Sequence, residues 1–261
     1  MYFYLYDSCL AEKKYTKTVD KIENRLTDLG IAGKNIRLTI LKSVKEIVQE
    51  SLEKDAQTIV VVGEDQSFAQ LAVAAAELDS QVTLGFIPTN PNSNLAKIFG
   101  LPPDETSADI ISARLIKKID LGKINNQYFL FSAKFNNHNT VLYCNDSYQI
   151  TPLSIKKIKI VNLDFLQVPK TDSNSELKEM VSNPYDGLLE ILASRPFGFS
   201  LPFFKKKEKR DSLFYVEKIR VESKKDEIQV LIDQNKIIKT PVLIEVVPEK
   251  IRVIVGRERL I

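Results

Sequence analysis

The chain has no tryptophan, one histidine, two cysteines and two methionines among 261 residues. A single histidine, His138, leaves nothing from which to build a multi-His metal centre or a Ser-His-Asp relay. It stands in an Asn-rich turn and reads as a loop residue, and no metal site is expected. Cys9 and Cys144 lie far apart and make no disulfide framework, so a reducing compartment is expected. No apolar run approaches the roughly 18 residues needed to cross a bilayer. The opening MYFYLYDSCLAEKK has no basic stretch ahead of an apolar core, so no signal peptide is expected. The net charge is only +3, too small to imply a nucleic-acid partner.

What is present is ordinary for a soluble globular protein: 44% hydrophobic and 27% charged residues. The length allows one large domain or two modest ones. The chain is organised around Thr58 to Gly100. Thr58-Ile59-Val60-Val61-Val62 reads as a buried strand, followed by the polar loop Gly63-Glu64-Asp65-Gln66-Ser67. Ser67 is placed to cap a helix over Phe68 to Leu78. A strand over Val82 to Ile87 leads into Pro88 and the loop Thr89 to Asn94, and a helix from Asn94 stops at Gly100. This alternation predicts a parallel α/β sheet, with ligands at the carboxyl ends of its strands.

Around this stretch, Tyr2 to Tyr6 and Ile36 to Ile40 read as strands. Thr16 to Leu29 reads as a helix with Val19, Ile22, Leu26 and Leu29 on one face and Gly30 as its stop. Ser43 caps a helix carrying Val44, Ile47, Val48 and Leu52, and Ser107 is placed to cap one running to Lys118. Residues 1–118 form the expected α/β domain. From 119 to 261 strands dominate: Gln127 to Phe135, Thr140 to Tyr143, Ile155 to Val161, Leu188 to Ala193, Tyr215 to Glu222, Ile228 to Asp233, Val242 to Val247 and Ile251 to Val255. Many short strands with polar turns predict an antiparallel β-sandwich or barrel, and the last residues are expected to pack back on the first domain. Lys170 to Asn183 is a polar insert, expected to be helical around Ser175 to Met180.

The motifs resemble the catalytic domain of diacylglycerol kinases, sphingosine kinases and bacterial lipid kinases. Gly63-Glu64-Asp65-Gln66-Ser67 stands where that family has G-G-D-G-T. Ile87 through Asn94 stands where it has I-P-x-G-T-G-N-D, and Asp7-Ser8-Cys9-Leu10-Ala11 where it has N-P-x-S-G. Asp120-Leu121-Gly122-Lys123 with Tyr128-Phe129, Asp186 to Ile191, and Thr240-Pro241 through Val255 resemble three further family segments in order. The resemblance implies an α/β domain with a parallel sheet followed by an antiparallel β-sandwich. It also implies ATP and Mg²⁺ as cofactors if the protein is active, otherwise none, and transfer of a phosphoryl group to a lipid hydroxyl.

By the same resemblance, Gly63, Glu64, Ser67, Thr89, Asn90, Asn92 and Asn94 are candidates for phosphate contact, and Asp65, Asp233 and Asn235 for catalysis. Asp65 either contacts a ribose or metal-bound water, or is a turn residue capping the next helix. The motif glycines, which let phosphate approach backbone without a Cβ in the way, are mostly replaced. Glu64 about 5 Å from a phosphate repels it by roughly 1 to 3 kcal/mol. Pro91 removes a donor N–H. Asn235 stands at the family's basic glutamate and accepts no proton at neutral pH. The expectation is therefore phosphoryl transfer that is impaired or absent. The alternatives are an active ATP- and Mg-dependent lipid kinase with unconventional motifs, or a lipid-binding pseudo-kinase. An NAD-kinase-like enzyme lacks support, because the first phosphate loop is altered.

One stretch is unusual by itself. Phe197, Phe199, Phe203 and Phe204 are followed by Lys205, Lys206 and Lys207. Aromatic rings beside cations suit a peripheral contact with an anionic membrane surface, at the inner face of the membrane of a cytoplasmic protein. The other reading is a buried hairpin with a solvated lysine exit. Burial of two of these rings contributes roughly 3 to 5 kcal/mol before ordering costs. The protein is accordingly expected to sediment with anionic liposomes, less so as salt rises. Changing Phe203 and Phe204 to Ser should reduce binding at every salt concentration. Changing Lys205, Lys206 and Lys207 to Gln should mimic added salt. A protein that stays in the supernatant at low salt would refute the membrane contact.

Overall fold

The computed structural model describes residues 1–261 apart from 40, 137–138, 153–156, 170–176 and 195–211. The chain divides into two compact units, Met1–Ile119 with Glu249–Ile261, and Asp120–Pro248.

In the first unit, β1 (Tyr2–Tyr6) pairs in parallel with β2 (Lys34–Arg37) and β3 (Thr58–Gly63). β3 pairs in parallel with β4 (Thr83–Pro88). β3 and β4 are buried at every position, as a sheet covered on both faces requires. Tyr4, Tyr6, Val60 and Val62 pack on α1 (Thr16–Asp28) through Ile22 and Leu26, with Ala108 and Ile111 of α5 (Ser107–Ala113) in the same cluster. Phe68 of α3 (Asp65–Glu77) lies 5.4 Å from Phe86 of β4 and 5.7 Å from Phe99 of α4 (Asn94–Phe99), ring centre to ring centre. α2 (Val44–Leu52) opens with a reciprocal capping box between Ser43 and Glu46.

Two helix boundaries differ from expectation. α3 begins at Asp65, with Glu64 as its N-cap residue, and Ser67 lies inside its first turn. The Ser67 hydroxyl bonds Asp7 instead of capping the helix. α5 ends at Ala113, because Arg114 turns left-handed at φ 52°, and Ile116 already starts β5 (Ile116–Ile124).

The second unit is antiparallel. β6 (Gln127–Phe129) pairs with β5, and β7 (Ser132–Asn136), β8 (Thr140–Cys144), β9 (Tyr148–Ile150) and β10 (Lys157–Val161) follow. β11 (Phe165–Pro169) and β12 (Leu177–Val181) form a separate ribbon. β12 replaces the expected helix; strand pairing satisfies its backbone, which an isolated short helix does poorly. With β13 (Leu189–Ser194), β14 (Ser212–Val216), β15 (Lys218–Ser223), β16 (Gln229–Ile232) and β17 (Lys236–Lys239), a six-stranded sheet runs β14-β13-β10-β7-β16-β17. Its Phe135, Ile158, Ile160, Ile191 and Val230 share one core with Leu142, Cys144, Ile219 and Val221 of β8 and β15. That is a β-sandwich.

Four predicted strands are divided differently. Tyr215 to Glu222 is two strands meeting at Glu217, because β14 pairs with β13 and β15 with β8. The two terminal strands are one, β18 (Val242–Ile254), which continues through Pro248 and Glu249, the latter at φ 49°. Its start pairs with β15, and Arg252 and Val253 pair in parallel with β4. Gln127 to Phe135 is split by Leu130 and Phe131. Their N–H groups and that of Ser132 donate to the Asp233 carboxylate at 2.8, 2.9 and 2.9 Å.

Asp233 is 5% exposed, so its three charge-assisted bonds hold this corner. Asp233→Ala should destabilise the protein by about 3 kcal/mol or more in chemical denaturation, since it strands three amides. A loss below about 1 kcal/mol would contradict that role.

Glu190 is 1% exposed in β13, and its Oε2 has no hydrogen-bond partner. Burial, aided by the Asp186 charge and opposed by the Asn183 N–H, pushes its carboxyl up to about 7. The folded state therefore holds a proton that the unfolded chain releases near 4.5. For this group, stability is full below that value and is lost as pH rises through about 7. Glu190→Gln should flatten the pH dependence of thermal unfolding in this window and raise the midpoint at pH 8, relative to the unaltered protein. Parallel profiles for the two proteins would exclude the effect.

Candidate functional site

The carboxyl ends of β1, β3 and β4 bring three loops of the first unit together. The Asp7 N–H continues the ladder to the Val62 carbonyl at 3.0 Å, and the Thr89 N–H reaches the Gly63 carbonyl at 3.1 Å. Gly63 is required by close approach. A Cβ there would stand 1.9 Å from Asp7 Oδ2.

Asp7 is the centre of this cluster. Asp7 is 8% exposed, and its side chain faces the first turn of α3. Oδ2 accepts the Glu64 N–H at 2.6 Å, and Oδ1 accepts the Ser67 hydroxyl. A carboxylate at a helix N-terminus satisfies an amide that has no partner within the helix and meets the positive end of the helix dipole. Burial raises the Asp7 carboxyl above the usual carboxylate range; its two donors oppose this and the Glu64 charge adds to it. Burial, with Asp7 and Glu64 nearby, also raises the Cys9 thiol.

The remaining candidates are tied to one another. The Glu64 carboxylate accepts Asn90 Nδ2–H at 3.1 Å, and Asn90 Oδ1 accepts the Asn92 N–H at 2.9 Å, an Asx turn. Asp65 accepts the Ser93 hydroxyl and, at 3.1 Å, the Leu95 N–H. Asp65 thus caps α4, not the helix it begins. Ser93 caps α4 as well, taking the Ala96 N–H at 2.9 Å. Thr89 is half-buried, and Asn94 is exposed. Gln66 Nε2 is buried without a hydrogen-bond partner. None of the partners of Asp7, Glu64 or Asp65 in these bonds is a Lys or Arg.

Gly63, Glu64, Asp65, Ser67, Thr89, Asn90, Asn92 and Asn94 therefore share one loop cluster. Asp233 and Asn235 belong to the second unit, in the turn between β16 and β17. There Asp233 and Gln234 both have positive φ, 43° and 64°, and the Asn235 side chain is exposed. Phe197, Phe199, Phe203, Phe204, Lys205, Lys206 and Lys207 lie outside the described residues, as does His138. Among the described residues, no helix is long and apolar enough to cross a membrane. Sequence reasoning missed Asp7. Its signal was an acidic residue directly after a strand, at the height of the next strand's glycine.

Residues 4–124 match the family model of the diacylglycerol kinase catalytic domain. The chain is 22% identical over 128 residues to a diacylglycerol kinase of Bacillus subtilis, an alignment covering 48% of this chain and 42% of that protein. It is 30% identical over 83 residues to a diacylglycerol kinase of Staphylococcus haemolyticus, covering 31% of this chain and 25% of that one. The chain thus aligns with under half the length of these curated relatives. A crystal structure of a diacylglycerol kinase from Bacillus anthracis superposes with a TM-score of 0.74 at 17% identity, over 98% of this chain and 97% of that one, and shows a shared fold. The candidate phosphate-loop positions of this chain thus fall inside a segment that is similar to the catalytic domain of diacylglycerol kinases.

Proposed function

We propose that this is a lipid-kinase-family protein whose ATP-dependent transfer of phosphate to a lipid hydroxyl is impaired or absent. The observation that carries this reading is the Asp7 carboxylate on the Glu64 amide and Ser67 hydroxyl. The donors best placed for a phosphate at the start of α3 already hold an internal anion. The Leu95 and Ala96 amides of α4 are likewise taken by Asp65 and Ser93.

The residues present do not fit a triphosphate with its divalent ion. Asp7, Glu64 and Asp65 repel phosphate, and both Asp65 oxygens are engaged by α4. At the family's base position, Asn235 has no basic group, and Asp233 next to it is committed to three amides. Loss of a general base costs on the order of 10²- to 10⁴-fold in rate.

The unaltered protein is expected to bind Mg-ATP with a dissociation constant weaker than about 1 mM in calorimetry. It should transfer little or no radiolabel from ATP to diacylglycerol. Replacing Asp7, Glu64 and Gln66 together with Gly should tighten nucleotide binding about tenfold or more, provided melting shows an intact fold. If residual transfer exists, Asn235→Glu should raise it. A micromolar dissociation constant in the unaltered protein, or robust transfer abolished by Asp65→Ala, would restore the active-kinase alternative.

A further inference from the structure

The outer face of the six-stranded sheet carries a cationic groove that the lipid-kinase reading does not use. Side chains alternate across a strand, so the register places Lys159, Lys134, Leu231 and Ile237 in one row across β10, β7, β16 and β17. Lys157 and Asn136 form the next row on the same face. A groove of about 620 Å³ opens beside them, lined by Lys134, Lys157, Lys225, Ile228, Leu231 and Ile237, with Asp226 and Glu227 also on its wall. That size suits a small organic ligand.

The charges within it are unequally matched. Lys159 pairs with Asp164 at 2.6 Å, and Glu227 with Lys239 at 3.0 Å. The nearby Asp233 is held by three amides. Among the described residues, Lys134, Lys157 and Lys225 make no ion pair, with Asp226 as the one acidic group left to offset them. Lys134 is half-buried between Lys159 and Leu231. Burial and the charges of Lys159 and Lys157 depress its ammonium, against the pull of Asp164 and Asp233. An anion beside it would relieve that cost. Ile237, 61% exposed, and the half-buried Leu231 and Ile228 supply an apolar wall next to the cations.

We propose that this groove binds a phosphate monoester carrying a short alkyl or acyl arm, with the phosphate at Lys134, Lys157 and Lys225 and the arm on Ile228, Leu231 and Ile237. A dianion matches the roughly two positive charges left over, and ammonium groups hold phosphate as point charges.

Calorimetry without nucleotide tests this independently of phosphoryl transfer. n-Hexyl phosphate should bind, and bind about tenfold or more tightly than inorganic phosphate, because inorganic phosphate lacks the arm. Lys134→Met should weaken hexyl phosphate about tenfold or more at an unchanged thermal midpoint. The exposed pair Lys157→Gln with Lys225→Gln should do the same and gives the answer if Lys134→Met disturbs folding. Ile237→Ser should remove most of the advantage of hexyl over inorganic phosphate. Unchanged affinity in the lysine variants, equal binding of the two phosphates, or sedimentation with anionic vesicles without any binding of hexyl phosphate would each overturn the proposal. The first two would deny the site its cations or its apolar wall, and the third would assign the cations to a membrane surface.

Discussion

The contact between Asp7 and the first turn of α3 is the constraint on which the loop cluster depends. A helix that starts directly after a buried strand leaves amides pointing at the sheet's carboxyl edge. In nucleotide-binding α/β folds that edge is open to an external anion. Here the chain supplies the anion from the neighbouring strand. Gly63 must lack a side chain for Asp7 to come this close, and Ser67 must give up helix capping to complete the contact. Asp65 then repeats the arrangement at the next helix. Each loop is pinned by a carboxylate from the loop before it.

The same principle organises the sandwich. Asp233 gathers the amides of Leu130, Phe131 and Ser132 and thereby divides β6 from β7. Asn162 does related work nearby, donating to the Asp120 and Leu130 carbonyls from a buried position. Polar residues at corners decide where strands stop, while the apolar alternation of Ile158, Ile160 and Ile191 fills the core.

Much of this was legible in the sequence. Tyr2 to Tyr6, the run at Thr58, the Ser43 cap, and Gly30 and Gly100 after their helices follow local rules of periodicity and capping. What stayed hidden depends on partners far along the chain. Ser67 looked like a cap because its competitor, Asp7, is 60 residues away. The segment near Leu177 looked helical because β11, its partner, is not visible in local composition. Tyr215 to Glu222 looked continuous because nothing local says that β14 and β15 belong to different sheets. At the candidate site, the residue positions were legible from family motifs, but the internal anion was not. Asp7 was visible only as a motif lost, and a lost motif does not show what takes its place.

The final strand bears on how the chain is made. Arg252 and Val253 are the partners of Thr83 and Leu84 in the parallel sheet. Until that late segment leaves the ribosome, the fully buried β4 has one edge without a neighbour. A nascent chain therefore carries an apolar strand with free backbone groups through the synthesis of the whole sandwich, the condition under which strands pair with the wrong chain. Completing the first unit with this strand delays its closure until the sandwich has been synthesised, however early its other strands assemble.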